Sequence, residues 1–123
     1  MNRDIKFRAW TKRWGMVYPD EEFSIDVHAR KVWNDAIDQE WVELMQFTGL
    51  TDSTGKEIYE GDIVQKTYKD GQKSEKMQVV WSTIDGLWWA ADLPNDEGKG
   101  QELYMYPKAT IIGNIFETPE LLQ

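Results

Sequence analysis

The side chains of this chain that could take part in catalysis are its acids and its single histidine, His28. Asp52, Glu60 and Asp62 lie close together in the sequence, and carboxylate oxygens are the ligands that Ca²⁺ and Mg²⁺ prefer. A carboxylate- or metal-dependent hydrolase built on these four residues is therefore one alternative for the function. Their spacing differs from the EF-hand pattern, however, and Asp in turns often accepts hydrogen bonds from nearby backbone N–H groups. We predict no catalytic residue, no metal site and no cofactor.

The three acids belong to a segment, residues 48–64, that is rich in glycine and other turn-forming residues. Its glycine spacing matches neither phosphate-binding motif. Glycine adopts the backbone conformations of tight turns, and the β-branched pair after the last glycine favours a strand. We therefore predict an architectural role for a set of signature residues, which are Gly49, Asp52, Gly55, Gly61, Asp62 and, near the end of the chain, Gly113.

Strands must position this segment. The pattern of residues 5–10 predicts the first strand. Apolar and polar side chains alternate here, with Lys6 and Arg8 on the face expected to point outwards. A polar loop or one helical turn is predicted for residues 34–40. We expect residues 1–47 to form an N-terminal region of β-hairpins.

We predict that the second part of the chain, residues 48–123, forms a small β-barrel. The pairs Asp70-Gly71 and Asp85-Gly86 favour tight hairpin turns, so residues 62–92 are predicted to form a three-stranded meander. Residues 111–116 are apolar on both faces, as in a strand that closes a barrel. The fold class is mainly β.

Aromatic residues are abundant, with seven Trp, five Tyr and four Phe in 123 residues. A small barrel has room for only part of them, and Trp and Tyr are also enriched at protein interfaces. We predict a homo-oligomer whose interface includes the N-terminal region and one or more of Trp10, Trp14, Trp33 and Trp88. A monomer with a doubled core is the alternative.

Charge is unevenly distributed along the chain, whose formal net charge is −8. Residues 1–14 carry a net charge of +4, whereas residues 15–62 carry −9. The acidic middle would repel a phosphate backbone, which disfavours nucleic-acid binding. It leaves open an acidic inhibitor that mimics DNA and binds a host DNA-handling protein. Lys12 and Arg13 could contact an acidic partner or form a solvated hairpin face.

Cysteine is absent, which suits a reducing cytoplasm and excludes disulfides and thiolate zinc sites. The N-terminus is charged where a signal peptide needs an apolar run, and no apolar stretch approaches the ~18 residues of a membrane span. We expect a cytoplasmic protein without a membrane segment.

Five blocks of sequence resemble the YopX family of bacteriophage and prophage proteins. They run in the expected order and are RDIKFRAW (3–10), MQFTGLTD (45–52), GKEIYEGDIV (55–64), IGNIF (112–116) and PELL (119–122). The blocks run from residue 3 to residue 122, so the resemblance covers the whole chain. The segment 19–42, which is long and acidic, departs from the family pattern.

The resemblance implies an SH3-type β-barrel with an added N-terminal β region. It also implies a phage or prophage origin and action in the cytoplasm of a bacterial host, and it supplies no catalytic residues to carry over to this chain. Together with the aromatic content, it favours a non-enzymatic protein-interaction module whose partner is a host or phage protein.

Overall fold

Strands dominate the computed structural model, which describes residues 5–19, 23–34, 38–66, 75–84, 86–93, 100–103 and 109–122. The prediction of a mainly β fold is confirmed. The helical structure in the described part is 3-10 in type, with one turn at Pro119–Leu122. The chain divides into two compact units, Met1–Phe47 and Thr48–Gln123.

The first unit is built from short antiparallel strands. They are β1 (Phe7–Thr11), β2 (Gly15–Val17), β3 (Phe23–Asp26), β4 (Lys31–Asn34), β5 (Asp38–Trp41) and the beginning of β6 (Glu43–Thr51). Strand β1 lies between β2 and β6, and β3, β4 and β5 form a meander. Ala9, Val17 and Val32 form the buried core of this unit.

Two predictions for this unit are wrong. Arg8 does not lie on an outer face but is buried, because β1 is paired on both edges and both of its faces contain buried side chains. The Nη1 of Arg8 donates a hydrogen bond to the Tyr18 hydroxyl at 3.4 Å. The predicted loop or helical turn at 34–40 instead contains most of β5, whose backbone pairs with β4 although its sequence is polar.

The second unit contains the end of β6 and six further strands. They are β7 (Glu57–Tyr59), β8 (Asp62–Lys66), β9 (Glu75–Ser82), β10 (Leu87–Asp92), β11 (Gly100–Glu102) and β12 (Thr110–Asn114). An antiparallel sheet has the order β11-β10-β9-β8-β12. The predicted meander is therefore present as β8, β9 and β10. The Asp70-Gly71 turn predicted within it lies outside the described residues.

Side chains that alternate between the two faces of these strands form the core of the second unit. Val64, Met77, Val79 and Ala90 are each fully buried on strands β8 to β10. Successive side chains of a strand point to opposite faces, so one face of the sheet supplies this core. Ile58, Leu103 and Ala109 complete it from the flanking segments.

Gly113 lies where the last strand contacts the C-terminal turn. The pairing of β12 with β8 shifts register between Ile111 and Gly113, as in a β-bulge. A Cβ atom at Gly113 would overlap Thr118 Oγ1 and would come within 2.8 Å of Leu121 Cδ1. The backbone at Gly113 thus approaches the Thr118 side chain so closely that a Cβ atom has no room there.

The two glycines Gly113 and Gly49 provide a matched test of this packing. Gly49 has a positive φ of 87°, and a Cβ atom added there would meet no other atom within 4 Å, so Gly49→Ala should cost about 1 kcal/mol from backbone strain alone. Gly113→Ala should cost more, about 2 kcal/mol, because Thr118 and Leu121 must move. Guanidinium chloride unfolding measures both. A Gly113→Ala variant as stable as the parent would contradict the contact.

Candidate functional site

The Asp52 carboxylate organises the turn that follows β6. The Gly55 N–H donates to the Asp52 carbonyl at 3.0 Å, which closes a β-turn. Asp52 Oδ1 accepts hydrogen bonds from the N–H and the hydroxyl of Thr54, at 2.9 and 2.7 Å, and from the Lys56 N–H at 2.9 Å. One carboxylate oxygen therefore holds three donors of its own turn.

The second Asp52 oxygen reaches a strand that is remote in sequence. Oδ2 accepts a hydrogen bond from the Ile111 N–H at 3.0 Å, on β12. Beside it, the Ser53 N–H donates to the Ala109 carbonyl at 3.0 Å, and the hydroxyls of Ser53 and Thr110 lie 2.6 Å apart. The turn at residues 52–56 is thus attached to β12 by three adjacent hydrogen bonds.

These hydrogen bonds determine the protonation of Asp52. Burial by itself would raise the pKa of this carboxyl, but the donated hydrogen bonds, first that of Ile111 and then those of Thr54 and Lys56, outweigh burial and lower the pKa to about 2. A general base works best when its pKa is near the working pH. An ionised carboxylate whose oxygens both accept backbone N–H groups is suited to structure rather than to proton transfer.

The other residues of the hydrolase alternative lie in different surroundings. Asp62 is buried, and its Oδ2 accepts a hydrogen bond from the Tyr59 N–H at 2.8 Å. Glu60 is half-buried in the turn before β8, and His28 is exposed in the turn between β3 and β4. Within the described ranges, no group of three or more His, Asp or Glu side chains is arranged to hold a metal ion.

The four tryptophans predicted for an interface are all half-buried. Trp14 packs against the core of the first unit and meets Phe23 edge to face, with ring centroids 5.4 Å apart. Trp88 packs against the core of the second unit. Much of the surface of Trp14 and Trp88 is therefore used in packing within the chain, and neither is among the large apolar residues that are most exposed.

Among the described residues of the second unit, the large apolar side chains that are exposed lie at the end of the β9–β10 hairpin. Trp81 is 43% exposed, Ile84 is 94% exposed and Leu87 is 41% exposed. We call these three residues the apolar tip. The Asp85-Gly86 turn is predicted from the sequence, but the exposure of the three apolar side chains around it is not.

Aromatic packing between Trp81 and Trp88 supports the apolar tip. Trp81 and Trp88 are paired across the two strands and meet edge to face, with centroids 5.0 Å apart. The Trp88 Nε1–H is buried and has no hydrogen-bond acceptor, so packing alone positions the indole. The Gly86 N–H donates to the Ser82 carbonyl at 2.8 Å and closes the hairpin. The tip is thus attached to the core through Trp88.

In the part of the chain that the structure describes, no helix has the length and apolar character needed to cross a membrane.

Comparisons with known proteins point to one family. The family model described as YopX protein matches residues 6–123. A crystal structure of a protein from Enterococcus faecalis is 26% identical, with a TM-score of 0.63 over 99% of this chain and 100% of that one. The crystal structure of protein YopX from Bacillus subtilis is 23% identical, with a TM-score of 0.66 over the same shares. No curated protein matches the chain significantly.

The low pKa of Asp52 predicts an acid-sensitive fold. The fold lowers this pKa from its ordinary value of 3.8 to about 2, so the ionised carboxylate stabilises the fold above pH 4, and this contribution is lost as the pH falls towards 2. Asp52→Asn should lower the free energy of unfolding at pH 7 by roughly 2 kcal/mol and flatten its decline between pH 4 and 2. Denaturant unfolding at several pH values, with exposed Glu120→Gln as the control, measures this. Parallel pH profiles for Asp52→Asn and the parent would refute it.

Proposed function

Because the chain belongs to the YopX family, we propose that it is a phage- or prophage-encoded accessory protein that acts by binding another protein rather than by catalysis. The apolar tip is the observation that carries this proposal. Scattered exposed apolar residues are ordinary, but three of them lie at the end of one hairpin, Ile84 in the turn and Trp81 and Leu87 on opposite faces of the two strands, and this concentration supports an interaction site.

The energetics support binding at the tip. Fully burying a side chain such as that of Ile84 or Leu87 contributes about 1.5–3 kcal/mol relative to leaving it exposed. Because Ile84 is 94% exposed, nearly all of this free energy is still to be gained when a partner covers it. Trp81 and Leu87 are each less than half exposed, so covering them would add less than half of the full value. A partner that covers the tip would therefore gain on the order of 4 kcal/mol from these three side chains before the costs of association.

We also propose that the second unit folds as an SH3-type barrel. Its meander β8-β9-β10 continues into β11, and the last strand, β12, returns to pair with the first, β8. A last strand that returns to pair with the first strand of the meander supports this proposal. Such barrels present loops and hairpins to partners, which supports a binding role by analogy of fold.

Two further proposals follow from the sequence. We propose a homo-oligomer whose interface uses the N-terminal region and one or more of Trp10, Trp14, Trp33 and Trp88, supported by the aromatic surplus. A cytoplasmic location in a bacterial host follows from the family resemblance. The acidic inhibitor of a DNA-handling protein stays a second candidate, supported by the net charge of −8.

Removing the apolar tip should abolish partner capture without unfolding the chain. In Ile84→Ser combined with Leu87→Ser, stability should fall by no more than about 2 kcal/mol, because Ile84 is 94% exposed and only the covered part of Leu87, which is 41% exposed, packs within the chain. Affinity purification from the source cell, with quantitative mass spectrometry, compares this variant with the parent. Ile5→Ser is the matched control, since Ile5 is 70% exposed and lies in the first unit. Equal recovery of the same proteins with the parent and the double variant would refute binding at the tip.

The assembly proposal has its own measurement. Light scattering after size exclusion should give a mass of at least twice 14.5 kDa at micromolar concentration. A mass that stays at 14.5 kDa across the micromolar range would contradict a homo-oligomer and assign the tryptophans to the core.

A further inference from the structure

We propose that the turn at residues 52–56 and the turn that contains Thr118 cover the outer edge of β12, and that this cover prevents a second copy of the chain from adding a strand there. The inference concerns the backbone edge of the second unit and is independent of the proposed binding function. It follows from the place of β12 in the sheet, from the groups that occupy its outer edge and from its sequence.

Strand β12 lies at the end of the five-stranded sheet. Among the described strands of that sheet it pairs with β8 on one side and with none on the other. The outer edge of such a strand presents backbone N–H and C=O groups that can pair with a strand of another chain. An edge of this kind invites self-association unless other groups occupy it.

The turn at residues 52–56 occupies the first half of this edge. Asp52 Oδ2 accepts the Ile111 N–H at 3.0 Å, so this N–H points away from β8. The carboxylate oxygen thus takes the place of a carbonyl on a neighbouring strand. Two residues earlier, the Ala109 carbonyl accepts the Ser53 N–H at 3.0 Å, as it would from a neighbouring strand. The turn therefore bonds to the edge as a short strand would.

The C-terminal turn occupies the second half of the edge. The Ile115 N–H donates to the Gly61 carbonyl at 3.0 Å, so Asn114, its neighbour, directs its own N–H and C=O away from β8. Thr118 Oγ1 accepts the Asn114 N–H at 3.0 Å and donates to the Asn114 carbonyl at 2.9 Å. Both outer groups of Asn114 are therefore bonded within the same unit.

The sequence of β12 explains why the edge needs this cover. Residues 110–116 are TIIGNIF, a segment without a charged residue and without proline. Short segments that are rich in β-branched and aromatic residues and carry no charge pair readily with copies of themselves. Lysine and proline, which protect many edge strands, are absent from this one. The two turns supply that protection instead, and the strand that they exclude is the same segment of a second copy.

Sedimentation velocity of three variants tests the proposal. Asp52→Ala removes the acceptor of the Ile111 N–H, and Thr118→Val removes the hydroxyl that bonds Asn114 while keeping the shape of the side chain. Val79→Ala is the matched control, because it weakens the fully buried core and leaves both turns intact. At micromolar concentration both edge variants should have at least twice the mass of the parent, and Val79→Ala should have the mass of the parent.

Amide hydrogen exchange locates the contact between copies. In dilute Asp52→Ala the Ile111 amide should exchange faster than in the parent. Its exchange should slow at least tenfold as the protein concentration rises, because a second copy then supplies the acceptor. In Val79→Ala the exchange of this amide should not depend on concentration.

Three results would overturn the proposal: the mass of the parent in both edge variants, equal association of Val79→Ala, or association of Asp52→Ala without slower exchange at Ile111. If circular dichroism shows that Asp52→Ala does not fold, Thr118→Val decides by the same two measurements, with the Asn114 amide in place of Ile111.

Discussion

The hydrogen bond between Asp52 and the Ile111 N–H is the interaction on which the second unit most depends. It joins two segments that are 59 residues apart, the turn after β6 and the last strand. A hydrogen bond with an ionised acceptor is about twice as strong as a neutral one. The same carboxylate also holds the turn itself, so the loss of its charge would loosen both the turn and its attachment to β12.

The framework built on this attachment positions the rest of the unit. Strand β12 pairs with β8, β8 pairs with β9, and β9 pairs with β10, so the position of the β9–β10 hairpin follows from the same sheet. Trp88 contacts both the core and Trp81, and it therefore connects the sheet to the apolar tip. The buried Asp52 carboxylate and the exposed Ile84 at the hairpin end are thus connected through one sheet.

Local signals in the sequence predicted the elements that local chemistry controls. The Asp85-Gly86 pair indicated a hairpin because the left-handed backbone of Gly86, with φ of 66°, is available to glycine at little cost. Asp52 and Gly55 indicated a turn for the same kind of reason. The burial of Arg8, the strand β5 and the exposure of Ile84 were not predicted. Each depends on which strands become neighbours, and alternation within one segment carries no information about that.

Amide hydrogen exchange tests the central claim, that the Asp52 carboxylate fastens the second unit, most directly. The Ile111 N–H should exchange only through global unfolding, with an exchange free energy equal to that of denaturant unfolding. The amide of Ile84, in the exposed turn, should exchange far faster. An Ile111 amide that exchanges as fast as that of Ile84 would contradict the account, because the hydrogen bond to Asp52 would then contribute nothing to holding β12 in place.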